Sequence, residues 1–292
     1  PATFGTADPK QLVMWEFNDT DDGDLGYVLG QPVIRKMANG KWAAIVSGGY
    51  NNTEADGSAS ANGNAFIFII FLDGPTGANQ SWRSGIDYVK LDTGVGFATS
   101  PTLQPNGVAR PLAADTDANG IVNYLYAGDL QGNFWKFDVS SSNPNQWDNA
   151  SRRLRLFAAV GPNGEQQPIT AQAEGAPHPS GKGFVINFGT GKYLEEDDTK
   201  PLNFTVQSYY GIWDKNDGTP LINAQTRVTG RNQLLEQVLV DKVVAGRTVR
   251  ETERDSVTGG PKVPDWSSLT DGPPTANDSP PKHMGWYMDF PN

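Results

Sequence analysis

The residues best placed to do chemistry are the oxygen-bearing side chains of Asp115-Thr116-Asp117-Ala118-Asn119-Gly120-Ile121-Val122-Asn123. Asp115, Asp117, Asn119 and Asn123 stand at positions 1, 3, 5 and 9 of this run. Gly120 at position 6 lets the chain turn sharply, and Ile121 at position 7 can offer its backbone carbonyl. This is the first three quarters of an EF-hand calcium loop. Alternate residues of a tight loop aim their oxygens at one point, and a Ca2+ ion takes about six to eight of them at roughly 2.3–2.6 Å. Position 12, where such a loop places a bidentate Glu, is Tyr126, and Asn123 carries no charge. Asp115 and Asp117 are then the loop's only carboxylates, so the expected affinity is that of weak extracellular modules, roughly 10⁻⁴–10⁻³ M. Asp129, beyond the following strand, adds an oxygen only if the backbone brings it close. The competing reading of the same residues is a solvated Asx turn between two strands.

Other charged or reactive clusters are weaker. Asn18-Asp19-Thr20-Asp21-Asp22-Gly23-Asp24 is acidic but irregularly spaced and reads as a solvated turn, and Glu195-Glu196-Asp197-Asp198 reads as an exposed loop. The sequence contains no G-x-S-x-G elbow, no phosphate loop and no H-E-x-x-H. Its two histidines, His178 and His283, lie far apart beside flexible sequence and are expected at the surface. Gly189-Thr190-Gly191-Lys192 completes no phosphate motif and reads as a strand end that needs tight backbone. Trp135, Trp213 and Trp286 fall inside strand-like runs and are expected in the core rather than on a ligand platform.

The elements that must position the loop are strands. Asn-Gly begins at Asn39, Asn62, Asn106, Asn119 and Asn163, and Asp-Gly at Asp22, Asp56, Asp73, Asp217 and Asp271. Both dipeptides tolerate the positive φ angles of tight hairpins. Between them lie aromatic and β-branched runs at 42–46, 66–71, 124–126, 134–139, 184–188 and 208–213. Residues 232–244 are ambiguous. Leu234, Leu235, Val238, Leu239, Val243 and Val244 fit a helical face, yet 238–240 and 247–250 also suit a hairpin turning at Ala245-Gly246. The hairpin is preferred because everything around it is β.

A loose repeat runs through the chain. A small residue and proline come first (Gln31-Pro32-Val33-Ile34, Ser100-Pro101-Thr102-Leu103, Gly175-Ala176-Pro177). A strand ending in glycine follows (Ala44-Ile45-Val46-Ser47-Gly48-Gly49, Leu125-Tyr126-Ala127-Gly128-Asp129, Asn187-Phe188-Gly189-Thr190-Gly191). An outer strand then closes on Asp73, Asp138 or Asp214. Such units, with insertions between strands, fit the four-stranded blades of a β-propeller. The expected fold is therefore all-β: a modified, partial β-propeller of several four-stranded blades with loop insertions. Residues 1–292 are read as one propeller segment, incomplete at both ends, with a long insertion at about 252–281.

Composition agrees and excludes other classes. The 292 residues include 33 glycines, 21 prolines and no cysteine, so disulfide scaffolds, cysteine zinc sites and thiol nucleophiles are out. The longest strong apolar run, 65–72, is strand-sized, so no transmembrane segment is expected. A net charge of -10 repels a phosphate backbone, which argues against nucleic acid and suits hard cations. The absence of cysteine is compatible with export.

Three blocks resemble one known family. They are Gly26-Tyr27-Val28-Leu29-Gly30-Gln31-Pro32 with Asn39-Gly40-Lys41-Trp42-Ala43-Ala44-Ile45-Val46-Ser47-Gly48-Gly49-Tyr50; Tyr126-Ala127-Gly128-Asp129-Leu130-Gln131-Gly132-Asn133-Phe134-Trp135-Lys136-Phe137-Asp138; and the later Phe188-Gly189-Thr190-Gly191-Lys192-Tyr193, Tyr210-Gly211-Ile212-Trp213-Asp214 and Gly285-Trp286-Tyr287-Met288-Asp289-Phe290. In this order they resemble the propeller domain of the PilY/PilC family of type IV pilus tip proteins, over nearly the whole chain. The resemblance implies a non-enzymatic, exported, calcium-binding protein at the pilus tip (fimbrium) or outer membrane of a bacterial cell. Its implied partners are the minor pilins of the tip complex and a host or abiotic surface. Its implied roles are to support pilus assembly, oppose retraction, and contribute to adhesion and twitching motility. The family's calcium loop lies directly before the Ala-Gly-Asp strand, and Asp115, Asp117, Asn119, Ile121 and Asn123 fall on it one by one. The family usually has Asp at the last of these positions. Some members carry an Arg-Gly-Asp adhesion motif, which does not occur here.

Two further readings compete with this one. A quinoprotein-dehydrogenase-like propeller also carries aromatic-Gly-Asp-x-x-Gly strands like 126–132, but its blade motif should recur regularly, and only one blade here shows it clearly. A scaffold propeller with no ligand would make the Asp115 loop a plain turn.

Overall fold

The β-branched and aromatic runs form strands, and the Gly- and Asn-rich breaks turn the chain between them. The computed structural model describes residues 13–28, 30–54, 57–97, 104–201, 204–216, 228–266 and 283–290. Among these residues there are β-strands and short 3₁₀ turns but no α-helix.

The first sheet holds β1 (Val33–Lys36), β2 (Trp42–Gly48), β3 (Phe66–Phe71) and β4 (Tyr88–Asp92) in sequential order, all antiparallel. The second holds β5 (Leu112–Ala114), β6 (Tyr124–Gly128), β7 (Asn133–Asp138) and β8 (Arg153–Ala158), again in sequential order. The third runs β9 (Glu174–Pro177), β10 (Phe184–Gly189), β11 (Gln207–Asp214) and then β15 (Gly285–Phe290), with β12 (Leu235–Glu236) parallel to β15 at its edge. The first two sheets thus run four strands in sequential order, and the third sets four antiparallel strands beside β12, the arrangement of propeller blades. The repeat read from the sequence maps onto them. The strand ending in glycine is the second of each sheet, and Asp138 and Asp214 close the third strand of theirs. The expected start of the second unit, Ser100-Pro101-Thr102-Leu103, lies outside the described residues.

In the first two sheets the glycine at the end of the second strand has a steric cause. A Cβ on Gly48 would lie 2.7 Å from the Phe68 ring, and one on Gly128 would overlap the Ile169 side chain. The inner strands of the first sheet are buried throughout rather than alternating. All six residues of β3 are buried, as are the last six of β2. That is the signature of a strand covered on both faces.

The ambiguous stretch is a hairpin. β13 (Leu239–Val244) pairs antiparallel with β14 (Arg247–Thr252) through Ala245 (φ 52°) and Gly246 (φ 76°). Two successive positive φ angles make the tight two-residue turn that matches strand twist and end any helix there. Of the insertion expected at 252–281, the described part is a mostly exposed turn closed by an Arg254–Pro261 bridge, and 267–281 lies outside the described residues.

The chain divides into two compact units, residues 1–125 with 137–150, and residues 126–136 with 151–292. In the first, Leu25, Val46, Phe66, Phe68, Ile70 and Tyr88 form a buried cluster. Trp15, Phe17 and Trp82 pack against it; Trp82 meets Trp15 and Phe17 edge to face at 5.2 and 5.1 Å between rings, and Phe17 meets Tyr88 of the cluster at 4.9 Å. In the second, Phe134 and Phe188 stack at 4.2 Å, and Phe188 also meets Phe157 and Tyr210. Phe188→Ala should therefore cost about 3–5 kcal/mol of unfolding free energy. Urea denaturation reads this directly, and a loss under 1 kcal/mol would show that the stack is not structural.

Candidate metal centre

The Asp115 loop joins β5 to β6 and is fixed at its base. Asn123 N–H donates to the Ala114 carbonyl at 2.9 Å and closes the loop. Val122 N–H donates to the Lys36 carbonyl at 3.1 Å, and Val122 is buried, so the exit is anchored beside β1. Asp115, Asp117, Asn119 and Gly120 are exposed, while Ile121 and Asn123 are half-buried. Ala118 (φ 58°) and Gly120 (φ 83°) both adopt left-handed backbone, which supplies the sharp turn that the glycine suggested.

Within the loop, Asp115, Asp117 and Asn119 come together. Asp115 Oδ1 accepts from Asn119 N–H at 3.2 Å, and Oδ2 from Gly120 N–H at 2.7 Å. Asn119 Nδ2 donates to Asp117 Oδ2 at 2.9 Å, and Asn119 Oδ1 accepts from Ile121 N–H at 2.8 Å. Asn123 Oδ1 is occupied differently: it accepts from Thr116 N–H at 2.7 Å and Thr116 Oγ1 at 3.0 Å. Desolvation would raise the Asp115 carboxyl. It is outweighed by the Gly120 amide, the neighbouring Asp117 side chain and the Asn119 and Ala118 amides, which hold it below its usual range. An ionised carboxylate is what a hard cation requires, and each of its oxygens has a second lone pair beyond the amide it accepts. The donors are all oxygens and fit calcium in kind. Among the described residues no group of three or more Asp, Glu, His or Cys gathers anywhere, so an ion here would rest on two carboxylates and neutral oxygens.

Asp129 is not a spare ligand. It is fully buried, and Gln131 N–H, Asn133 N–H, Asn133 Nδ2 and Trp135 Nε1 all donate to its carboxylate at 2.8–3.2 Å. Its backbone N–H donates to Asn133 and its carbonyl accepts from Ile169 N–H. It ties the β6–β7 turn together. The spacing Asp-x-x-Gly-Asn-x-Trp was the signal for this, since it places four side-chain and backbone donors within one turn.

Two other expectations change. His178 is not at the surface: it is 2% exposed, stacked on Trp213 at 4.1 Å and edge-on to Trp266 at 4.4 Å. Its Nδ1 accepts from Ser180 N–H, and burial pushes its pKa below the usual imidazole value. The proline and glycine around it suggested flexibility, but a strand register that presses it against Trp213 decides otherwise. The acidic 18–24 turn is not simply solvated either. Asp22 and Asp24 hold Lys90 at 2.9 and 2.5 Å, and Tyr88 Oη donates to Asp22 at 2.7 Å. Burying the stem of Lys90, which projects from β4, draws its counter-ions in. Other readings hold. Trp135 and Trp213 are buried, and Gly191 N–H donates to the Pro168 carbonyl at a strand end. Glu195, Glu196 and Asp197 are exposed, Asp198 is half-buried, and the run pairs with Lys192 and Lys200.

The family model describing the PilY1 beta-propeller domain matches residues 15–248. The chain belongs to this family. Its fold is accordingly the modified β-propeller, here with three four-stranded blades described. Among relatives, the type IV pilus biogenesis factor PilY1 of Pseudomonas aeruginosa strain PAO1 is 33% identical over 97% of this chain and 23% of its own length. A PilY1 homolog of Xylella fastidiosa is 33% identical over 99% of this chain and 17% of its own. The chain therefore spans about a fifth of the length of these curated relatives. The crystal structure of the Pseudomonas aeruginosa PilY1 C-terminal domain superposes with a TM-score of 0.66 at 30% identity, covering 95% of this chain and 53% of that one. No helix among the described residues is long and apolar enough to cross a membrane.

Two measurements test this geometry. By NMR titration, the Asp115 carboxyl should have its midpoint below 3.8, the ordinary value. Because its folded value is depressed, its contribution to loop order is present above the unfolded pKa and lost as pH falls through the folded one. A midpoint at or above 3.8 contradicts the amide contacts. Asp129→Asn should lower unfolding free energy by about 2–3 kcal/mol, since it replaces a charged acceptor by an amide that faces donors. An unchanged urea midpoint would mean that the turn does not depend on the carboxylate.

Proposed function

We propose that this chain is the calcium-binding propeller segment of a type IV pilus biogenesis factor. It acts, without enzymatic activity, at the pilus tip and outer membrane of the bacterial surface. There it supports pilus assembly with the minor pilins, opposes retraction, and contributes to adhesion and twitching motility. The observation that carries the reading is alignment with named pilus biogenesis factors over 97% and 99% of the chain. Those names favour a pilus role over a quinoprotein-like enzyme.

Asp115, Asp117, Asn119, the Ile121 carbonyl and Asn123 would hold the calcium ion, which supplies positive charge against two close carboxylates. The chain prepares the place for it. Amides of Asn119 and Gly120 keep Asp115 ionised, and the Ala114–Asn123 and Lys36–Val122 hydrogen bonds fix both flanks to strands. Charge neutralisation at an exposed loop tip then alters the surface offered to a partner while the blade beneath stays fixed, a local ligand switch.

Titration calorimetry with calcium is expected to give one site of Kd roughly 10⁻⁴–10⁻³ M, and none in Asp115→Ala/Asp117→Ala. Equal heats from the two proteins would sink the reading. Adding a third loop carboxylate with Asn123→Asp should tighten binding on the order of tenfold, because affinity follows ligand charge.

A further inference from the structure

Beside the first sheet, a cavity of about 250 Å³ opens between residues 17–27 and Asn51, Asn52, Glu54 and Ser58. Phe17, Tyr27, Asp19, Glu54 and Asn52 line it. Asn52 is 4% exposed. Its Nδ2 donates to the Asp24 carbonyl at 3.2 Å and the Asn64 carbonyl at 3.0 Å. Both partners are acceptors only, so this end of the amide must be the NH2 group, and the other end is an oxygen. That oxygen, Asn52 Oδ1, is buried and meets no donor among the described residues. A buried acceptor left unmet costs free energy, and native structures rarely leave one without a reason.

The surroundings specify what kind of donor fits. The segment from Asn18 to Asp24 carries four aspartates, and Lys90 already pairs with Asp22 and Asp24, balancing one of their two charges. Asp19 and Glu54 remain as cavity carboxylates, and Glu54 accepts one hydrogen bond from Tyr27 Oη at 3.1 Å. The site is therefore negative, offers an acceptor, and has aromatic walls. A calcium or magnesium ion takes a full shell of about six or more oxygens, and the aromatic faces of Phe17 and Tyr27 supply none. A cation that itself donates hydrogen bonds and tolerates aromatic faces suits it better.

We propose that this cavity binds a primary alkylammonium group, as carried by a lysine side chain or a free amine. Asn52 Oδ1 accepts one N–H of the ammonium, Asp19 and Glu54 balance its charge, and Phe17 and Tyr27 flank the alkyl stem. The site is separate in sequence from the Asp115 loop and does not depend on calcium.

NMR titration with Nα-acetyl-lysine amide tests it. The side-chain amide of Asn52 and the signals of its neighbours should shift saturably, with Kd on the order of 1 mM for so small a ligand. The Nε-acetylated form of the same probe, equal in stem but uncharged, should leave them unmoved. n-Butylammonium separates the two sources. Equal affinity assigns recognition to the ammonium alone, and tighter binding of the lysine amide assigns it to a peptide-borne lysine. Asp19→Asn and Glu54→Gln keep the shape of their side chains, and each should weaken binding about two- to five-fold. Absence of saturable shifts, equal binding of the acetylated probe, displacement of the amine by calcium, or unchanged affinity in the double variant would each overturn the proposal.

Discussion

Lys136 Nζ and Asp214 Oδ2 lie 2.6 Å apart, and each side chain is only 3% exposed. Taking two charges out of water costs several kcal/mol per ion in order of magnitude, and a pair survives burial only where its other bonding positions are met. They are met here. Tyr126 Oη donates to the same carboxylate oxygen at 2.6 Å, Asn216 Oδ1 accepts from the ammonium at 3.0 Å, and that ammonium lies 5.7 Å from the Tyr126 ring centre. The contact takes one residue from each of β6, β7 and β11. A one-residue slip of any of them would turn its side chain to the other face and strand a charge in the core. The pair thus acts as a register lock more than as a source of stability. The Phe134–Phe188 stack rests on the same alignment.

The protein's acidic surplus divides along the same line. Asp129 and Asp214 are spent inside the blades, and Asp289 is bound by Arg231. Asp22 and Asp24 are taken by Lys90. Asp115 and Asp117 are different, because only loop amides and each other's neighbours engage them and both face solvent. A fold that satisfies its buried carboxylates internally can leave two exposed ones for an ion without cost to the core.

Much of this was legible in the sequence, and what was not has a physical reason. Turn dipeptides and apolar runs place the strands, because hairpin geometry and pleat burial are local properties. The 245–246 hairpin could not be decided locally, since Leu and Val at those spacings satisfy a helical face as well as a strand pair. The loop residues Asp115 to Asn123 were legible because their spacing is itself the geometry, although the turning of Asn123 Oδ1 toward Thr116 was not. The burial of His178 and the roles of Asp22 and Asp214 were hidden. Each depends on a partner distant in sequence, Trp266, Lys90 and Lys136 respectively, whereas the donors around Asp129 lie within its own turn.

The insertion between β11 and β15 poses the remaining question of how a blade keeps its last strand after so long a detour. Loop-closure entropy rises only slowly with length, so distance alone is a weak penalty. What the strand needs is a fixed point of return. Arg231, just after β11 and the residues that follow it, supplies one. Its guanidinium makes two parallel hydrogen bonds of 2.8 Å to the Asp289 carboxylate on β15 and lies 4.5 Å from the Tyr287 ring. Its Nε and Nη2 also donate to Tyr210 Oη, and Nη2 donates to Ser208 Oγ, both on β11. Gln167 donates to Ser208 Oγ, and Tyr210 Oη donates to Gln167 Oε1 at 2.6 Å, which completes the network. A planar, bidentate cation is suited to this task, since it fixes direction as well as distance. β12 then pairs with β15 at Leu235↔Trp286, immediately beyond the arginine. The detour is thereby pinned at its base, and the exposed β13–β14 hairpin can vary in sequence without disturbing the blade.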